Sequence, residues 1–202
     1  MPTATRVDDA RTRPETRAAI LARAVDLASA GGLEGLTIGR LAADLGMSKS
    51  GLFRHFGSKR ELQLATVGEA SRRFVAAVIE PALAAEEGEA RLRALCDRYV
   101  GHMESQVFSG GCFWAATQAE FDDRPGPVRD AIAGAVEAWT AELARQARLA
   151  GADDPEQLAF ELLSTAQGAN ARYRLLGDVT AFGRARTAFD RLLGQGAPGM
   201  RP

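Results

Sequence analysis

Three features of this sequence predict an all-α protein: alanine is abundant, β-branched residues are sparse, and no Val/Ile/Thr alternation of period two persists beyond a few residues. With 202 residues, 46% hydrophobic and 25% charged, the chain has the composition of an ordinary globular protein and is long enough to bury a real core. Residues 1–13 are polar and rich in Arg, Thr and Asp, and 195–202 are rich in Gly and Pro, so both are expected to be disordered arms. Between them the punctuation divides the chain into about nine helices.

The first helix is expected from Pro14, a residue suited to a first turn, to the Gly31-Gly32 pair, with Ile20, Leu21, Ala24, Val25 and Ala28 on one face. Thr37 can cap a short second helix carrying Ile38, Leu41, Ala42 and Leu45, which Gly46 ends. Ser48 can cap a third, Lys49 to His55, where Leu52 and Phe56 point to a core and Gly57 stops the helix. Ser58-Lys59-Arg60-Glu61 has the pattern of a capping box, in which the serine hydroxyl takes the amide three residues on and the glutamate reaches back to the serine amide. A fourth helix starts there and runs towards Glu80 and Pro81. Five more are expected at about 88–107, 111–121, 126–149, 154–175 and 179–193, separated by Gly110-Gly111, the Arg124–Pro127 run, the Gly151–Pro155 run and Gly177-Asp178.

Charge is distributed unevenly behind a net value of −1. Residues 1–66 hold 10 of the 25 Lys/Arg against 7 of the 26 Asp/Glu, so the front is basic and the remainder acidic. The only two lysines, Lys49 and Lys59, fall in that front part. There the second helix, a Gly-Met-Ser turn and the third helix make a helix-turn-helix, whose second helix fits a DNA major groove. Lys49, Ser50, Arg54 and His55 lie on its outward face and offer donors to base edges or phosphates, and Gly51 permits close backbone approach. The helix starts at Thr37, Ser48 and Ser58 offer amides and hydroxyls to anions, with Lys59 beside the last.

The run from Leu36 through Thr37-Ile38-Gly39-Arg40-Leu41-Ala42, Gly46-Met47-Ser48-Lys49-Ser50-Gly51-Leu52-Phe53-Arg54-His55-Phe56 and Gly57-Ser58-Lys59-Arg60-Glu61-Leu62 strongly resembles the DNA-binding domain of TetR-family (tetracycline-repressor-like) transcriptional regulators. The resemblance covers about residues 14–66. It implies a helix-turn-helix domain over 14–66 joined through a long helix to an effector-binding and dimerisation domain over 67–194. It further implies phosphate contacts from Thr37 and Lys59, with Lys49, Ser50, Gly51, Arg54 and His55 in the base-facing and backbone-facing places of the recognition helix. The family usually has tyrosine where Phe53 stands; without that hydroxyl a phosphate hydrogen bond is lost, leaving stacking or a thymine-methyl contact.

The same resemblance implies a homodimer built from the last two helices. Stripes of helical period there comprise Leu158, Leu162, Thr165, Ala166 and Ala169, then Phe182, Ala185, Phe189 and Leu192, although an intramolecular core would give the same stripes. The remaining helices would enclose a small-molecule effector, with Tyr99, His102, Met103, Phe108, Cys112, Phe113, Trp114, Gln118, Phe121, Trp139 and Asn170 as its candidate contacts. For each of these, core packing is the competing reading.

No strand-to-helix glycine loop, oxyanion hole or paired acid/base arrangement points to an enzyme, and two histidines with no Cys/His/Asp cluster at ligand spacing point to no metal and no cofactor. Cys96 and Cys112 fit no metal spacing and read as small buried hydrophobes. With no stretch approaching about 18 apolar residues and no apolar run near the start, neither a membrane span nor a signal peptide is expected, and the location is expected to be cytoplasmic. The expected function is a ligand-responsive regulator, most simply a repressor, on a palindromic DNA operator. The rival readings are a helical adaptor for another protein and an enzyme.

Overall fold

The computed structural model describes residues 8–105 and 107–194, and among these residues helices connected by turns are the whole of the regular structure. Nine helices form in chain order: α1 (Asp8–Gly31), α2 (Ile38–Asp44), α3 (Lys49–Phe56), α4 (Lys59–Phe74), α5 (Glu89–Glu104), α6 (Phe113–Phe121), α7 (Pro127–Leu149), α8 (Pro155–Leu176) and α9 (Ala181–Gly194). The expected positions of all nine hold to within a few residues, with one larger difference. Helix α1 starts six residues before Pro14, within the stretch expected to be a disordered arm. Asp8 and Asp9 stand in the first turn, where a helix dipole favours negative charge. Residues 1–7 and the expected tail at 195–202 lie outside the described residues.

The chain folds as two compact units. Of the described residues, the first takes those up to Ala70 together with Phe108–Arg129, and the second takes those from Ser71 to Val107 and from Asp130 on. The sequence division near residue 66 follows the order of the chain, so it placed Phe108–Arg129 in the larger body; compactness follows contacts, and these residues pack on α1 and the turn after it.

The core of the first unit contains Ile20, Leu21, Ala24, Val25 and Ala28 of α1, Leu33 and Leu36 of the following turn, Leu41 and Ala42 of α2, and Leu52 and Phe56 of α3. Helix α6 packs on α1. The approach just before α6 is very close: the Ser109 N–H donates to Asp26 Oδ1 at 2.8 Å and the Gly110 N–H to Ser29 Oγ at 3.1 Å. A Cβ on Gly110 would collide with the Ser29 carbonyl, so only glycine fits there. One turn earlier on α1, Arg23 bridges Asp26 and Asp44, with contacts of 2.6 Å to each.

In the second unit α9 packs on α8 and α5, and α8 on α5. Here the α-helical register expected up to Pro81 gives way at Val75–Ile79 to a π-helical turn, followed by a last turn at Glu80–Ala82. The Glu80 N–H reaches back five residues to the Val75 carbonyl. Pro81 has no N–H and its ring crowds the carbonyl four residues earlier, so a widened turn just before it relieves both conflicts. An aromatic cluster fills the space between α5 and α7: Phe74, Tyr99 and Trp139 meet edge-on with ring centroids 5.1–5.8 Å apart. Gly88, at φ +92°, donates its N–H to the buried Gln146 side chain at 2.8 Å and joins the start of α5 to α7.

Candidate nucleic-acid interface

Three helix starts in the first unit use one device. Thr37 Oγ1 accepts the Arg40 N–H, Ser48 Oγ accepts the Gly51 N–H and Ser58 Oγ accepts the Glu61 N–H, each at 3.1 Å. The capping box at Ser58 is half formed. The Ser58 N–H closes a tight turn about Gly57 onto the Phe56 carbonyl at 2.8 Å, so it is not available to Glu61. Gly57 and Gly46 take positive φ, +72° and +63°, and end α3 and α2.

Helix α3 is one residue longer than expected and divides into two faces. Leu52 and Phe56 are buried, whereas Lys49, Ser50, Phe53 and Arg54 are exposed over a contiguous arc; Phe53 is 53% exposed, which is unusual for an aromatic residue. His55 and Gly51 are half-buried. The Lys49 stem lies over Gly39 of α2, where a Cβ would stand 3.3 Å from Lys49 Cε, so a glycine at 39 leaves room for that side chain. Gly51 also belongs to the cap: a Cβ there would approach Ser48 Oγ at 3.0 Å, the atom its amide donates to. Thr37 and Ser48 are exposed beside these cations. Two further exposed cations, Arg40 on α2 and Arg60 on α4, share this region. Reading the motif passed over them, although each stands within a turn of a capping residue.

Lys59 does not project freely. Its ammonium is hydrogen-bonded to Glu34 Oε1, and Gln63 Nε2 donates to Glu34 Oε2 at 3.2 Å. The Lys59 ammonium, followed by the Gln63 amide, holds the Glu34 carboxyl below its ordinary value. Nothing in the sequence signals this pair, since its members are 25 residues apart with two whole helices between them.

The effector candidates separate between the two units. Tyr99, His102, Met103, Trp139 and Asn170 are buried in the second, where Trp139 Nε1 and Asn170 Oδ1 have no hydrogen-bond partner among the described residues. Phe108, Cys112, Phe113, Trp114 and Phe121 are buried in the first, and Gln118 Nε2 donates to the Trp114 carbonyl at 3.1 Å within α6. Among the described residues no three His, Cys, Asp or Glu side chains could hold a metal ion, and no helix is long and apolar enough to cross a membrane.

The expected dimer residues also divide. Leu162, Ala166, Ala169, Phe182, Ala185 and Phe189 are buried within a single chain, so that stripe belongs to the intramolecular core; Leu158, Thr165 and Leu192 are half-buried. The apolar residues left outside on α8 and the turn after it are Phe160, Leu175, Leu176 and Val179, at 62%, 84%, 62% and 78% exposure. Periodicity marks the most apolar stripe, and packing within the chain claims it first.

Residues 20–66 match the family profile described as bacterial regulatory proteins, tetR family, and residues 88–189 match the one described as tetracyclin repressor-like, C-terminal domain. Similar solved structures include a TetR transcriptional regulator from Chloroflexus aurantiacus, 26% identical with a TM-score of 0.78, the match covering 92% of this chain and 97% of that one. A TetR-family transcriptional regulator from Cytophaga hutchinsonii is 17% identical with a TM-score of 0.80, over 92% of this chain and 96% of that one. AibR, crystallised with isovaleryl coenzyme A and operator DNA, is 21% identical with a TM-score of 0.71, over 88% and 98%. A comparison with curated proteins gives no match. The C-terminal profile alone spans half of the chain and the N-terminal one falls on the helix-turn-helix, so the chain belongs to the TetR family, whose members are dimeric, ligand-responsive, DNA-binding transcription regulators and not enzymes.

Proposed function

We propose that this TetR-family regulator is a cytoplasmic repressor, that its homodimer sets two α3 helices into successive major grooves of a palindromic operator about 34 Å apart, and that a small, largely apolar effector releases it. The observation that carries this reading is the exposed arc of Lys49, Ser50, Phe53 and Arg54 on a helix whose opposite side is anchored by Leu52 and Phe56. Arg54 and Lys49 read base edges, His55 and Ser50 add donors at the rim, and Phe53 presents an apolar ring to a thymine methyl. Thr37, Ser48, Gly51 and Lys59 contact the backbone. On the effector side, Tyr99, His102, Met103 and Trp139 give a mostly apolar wall, and Trp139 Nε1 and Asn170 Oδ1 are a donor and an acceptor without a hydrogen-bond partner among the described residues that a bound ligand would satisfy. AibR, of the same fold, takes a coenzyme A thioester and operator DNA. A differential affinity of about 100-fold between the two conformations, or about 3 kcal/mol, is sufficient for a useful switch.

The test is fluorescence anisotropy with duplex from the region upstream of the protein's own gene, beside a scrambled duplex, across a salt series. Tight binding by two subunits with a large preference for the upstream duplex is expected. Lys59→Ala should weaken binding to both duplexes and flatten the salt slope by about 1, whereas Arg54→Ala should mainly erase the preference. Equal, weak and steeply salt-dependent binding to both duplexes would leave only non-specific attraction and contradict the proposal.

A further inference from the structure

The best-connected polar cluster of the first unit lies beside Lys59. Glu34 is pinned there twice. Its backbone N–H donates to Glu120 Oε1 at 3.0 Å while the neighbouring Leu33 N–H donates to Glu120 Oε2 at 2.6 Å, so one α6 carboxylate clamps two successive amides of the turn after α1. Gly32, at φ +79°, lies so close to that carboxylate that a Cβ would overlap it. The Glu34 side chain then accepts from Lys59 at Oε1 and from Gln63 Nε2 at 3.2 Å on Oε2, and Arg124 Nη1 stands 3.8 Å from Oε2 as an ion-pair partner beyond hydrogen-bond reach. Gln63 is buried and also donates to the Leu33 carbonyl at 3.0 Å, which keeps it in place. Two cations from distant parts of the sequence therefore share one carboxylate, whose backbone Glu120 fixes and whose side chain Gln63 holds.

A DNA phosphate approaching the start of α4 has to compete with that carboxylate for the Lys59 ammonium and is repelled by it. We propose that Glu34 is a built-in counter-anion that attenuates DNA binding through Lys59, and that Arg124, by drawing on the same carboxylate, loosens its hold on the lysine. This rests on the reading of Lys59 as a phosphate contact. The Glu120–Arg124 stretch, some ninety residues from Glu34 in sequence, thereby acts as a positioning element for the DNA backbone contact: Glu120 fixes where the carboxylate stands and Arg124 fixes how strongly it is engaged. Because the pair is partly exposed and screened by solvent, the effect is modest in affinity and clearest in its salt dependence.

The experiment compares full-length wild-type protein, Glu34→Gln, Arg124→Ala, the double variant and Lys59→Ala by anisotropy on the upstream and scrambled duplexes, from roughly 50 to 200 mM salt. Glu34→Gln should bind both duplexes about 3- to 10-fold more tightly, with a salt slope steeper by a fraction of 1, because the Lys59 ammonium, no longer shared with a carboxylate, neutralises its phosphate more completely. Arg124→Ala should weaken binding about 2- to 3-fold in the wild-type background and change nothing in Glu34→Gln. The slope reports the charge engaged by folded protein, so it remains decisive even where Glu34→Gln lowers the melting temperature. If Lys59→Ala weakens binding but Glu34→Gln is neutral or weaker, the attenuator is wrong and the phosphate contact stands. If Lys59→Ala has no effect, the phosphate contact fails and the attenuator with it. An Arg124→Ala loss that persists in Glu34→Gln would mean that Arg124 touches DNA itself, which overturns its assigned role.

Discussion

His102 stands near the end of α5 with its ring edge-on to Phe74 at 5.9 Å, and burial holds its imidazole below the ordinary value near 6.5. The neutral ring is the form that the folded chain keeps. As pH falls below about 6.5 the unfolded chain takes up a proton at this position that the folded chain resists, so stability present above that pH is lost progressively on acidification. The carboxylates held below their ordinary values, Glu34, Asp44, Glu142 and Asp178, start from 3.8 or 4.5 and titrate lower still, outside that window. Urea unfolding of wild-type protein should therefore show a falling free energy between pH 7 and pH 5, and His102→Gln should flatten it; parallel curves would remove His102 as the cause. Cys96 shows the same physics in a thiol: burial, with Asp97 adding to it, pushes its value up to about 12, so the thiolate is scarce at neutral pH. With Cys112 also buried, the reading of both as small core residues agrees with where they stand. Such residues were legible because their burial follows helix periodicity. Glu34 was not, because its role depends on partners 25 to 90 residues away.

Helix α3 has eight residues, too few to be stable alone, so its start depends on the Ser48 cap and its placement on Leu52 and Phe56. Ser48→Ala removes the acceptor of the Gly51 N–H and should lower stability by about 1 kcal/mol. Ser48→Asp restores a capping oxygen but brings negative charge to the surface proposed to meet phosphate. It should recover the stability and still bind DNA more weakly, with the loss growing as salt is lowered. A Ser48→Asp protein as stable as wild type that binds operator equally well would remove Ser48 from the DNA surface. Caps, glycine stops and apolar periodicity are local signals, and they made all nine helices readable to within a few residues, apart from the start of α1. The π-helical turn before Pro81 was not readable, since proline signals a conflict without saying how the backbone resolves it. Nor was the half-formed box at Ser58, where the turn about Gly57 takes the amide that the pattern assigns to Glu61.

At the level of the complete protein, the question is which surface of α8 and α9 meets a second copy. The stripe that periodicity picks out is consumed within the chain: Leu162, Ala166, Phe182, Ala185 and Phe189 are each at most 4% exposed. Phe160 and Leu175 stand fifteen residues apart on α8, about four helical turns, with Ser164, Gly168 and Ala171 between them at helical spacing. Small residues between large apolar ones allow a second helix to lie close along this line, and Leu176 and Val179 extend it into the turn before α9. This outer line, with Thr165 and Leu192 beside Phe160 and Ser164, is the face proposed for the family's dimer contact. Replacing an exposed Leu175 by Glu removes no intrachain packing but introduces like charges across a two-fold contact. Leu175→Glu with Phe160→Glu should therefore leave helix content and melting of the monomer fold intact while shifting the protein from dimer to monomer in sedimentation velocity. Because two half-sites bound by linked subunits gain about 100- to 10,000-fold over either alone, operator affinity should fall by a factor of that order. Binding to a single half-site should stay within a few-fold of wild type, since α3 is untouched. Retention of a full-strength dimer by the double variant would place the contact on another surface of the chain.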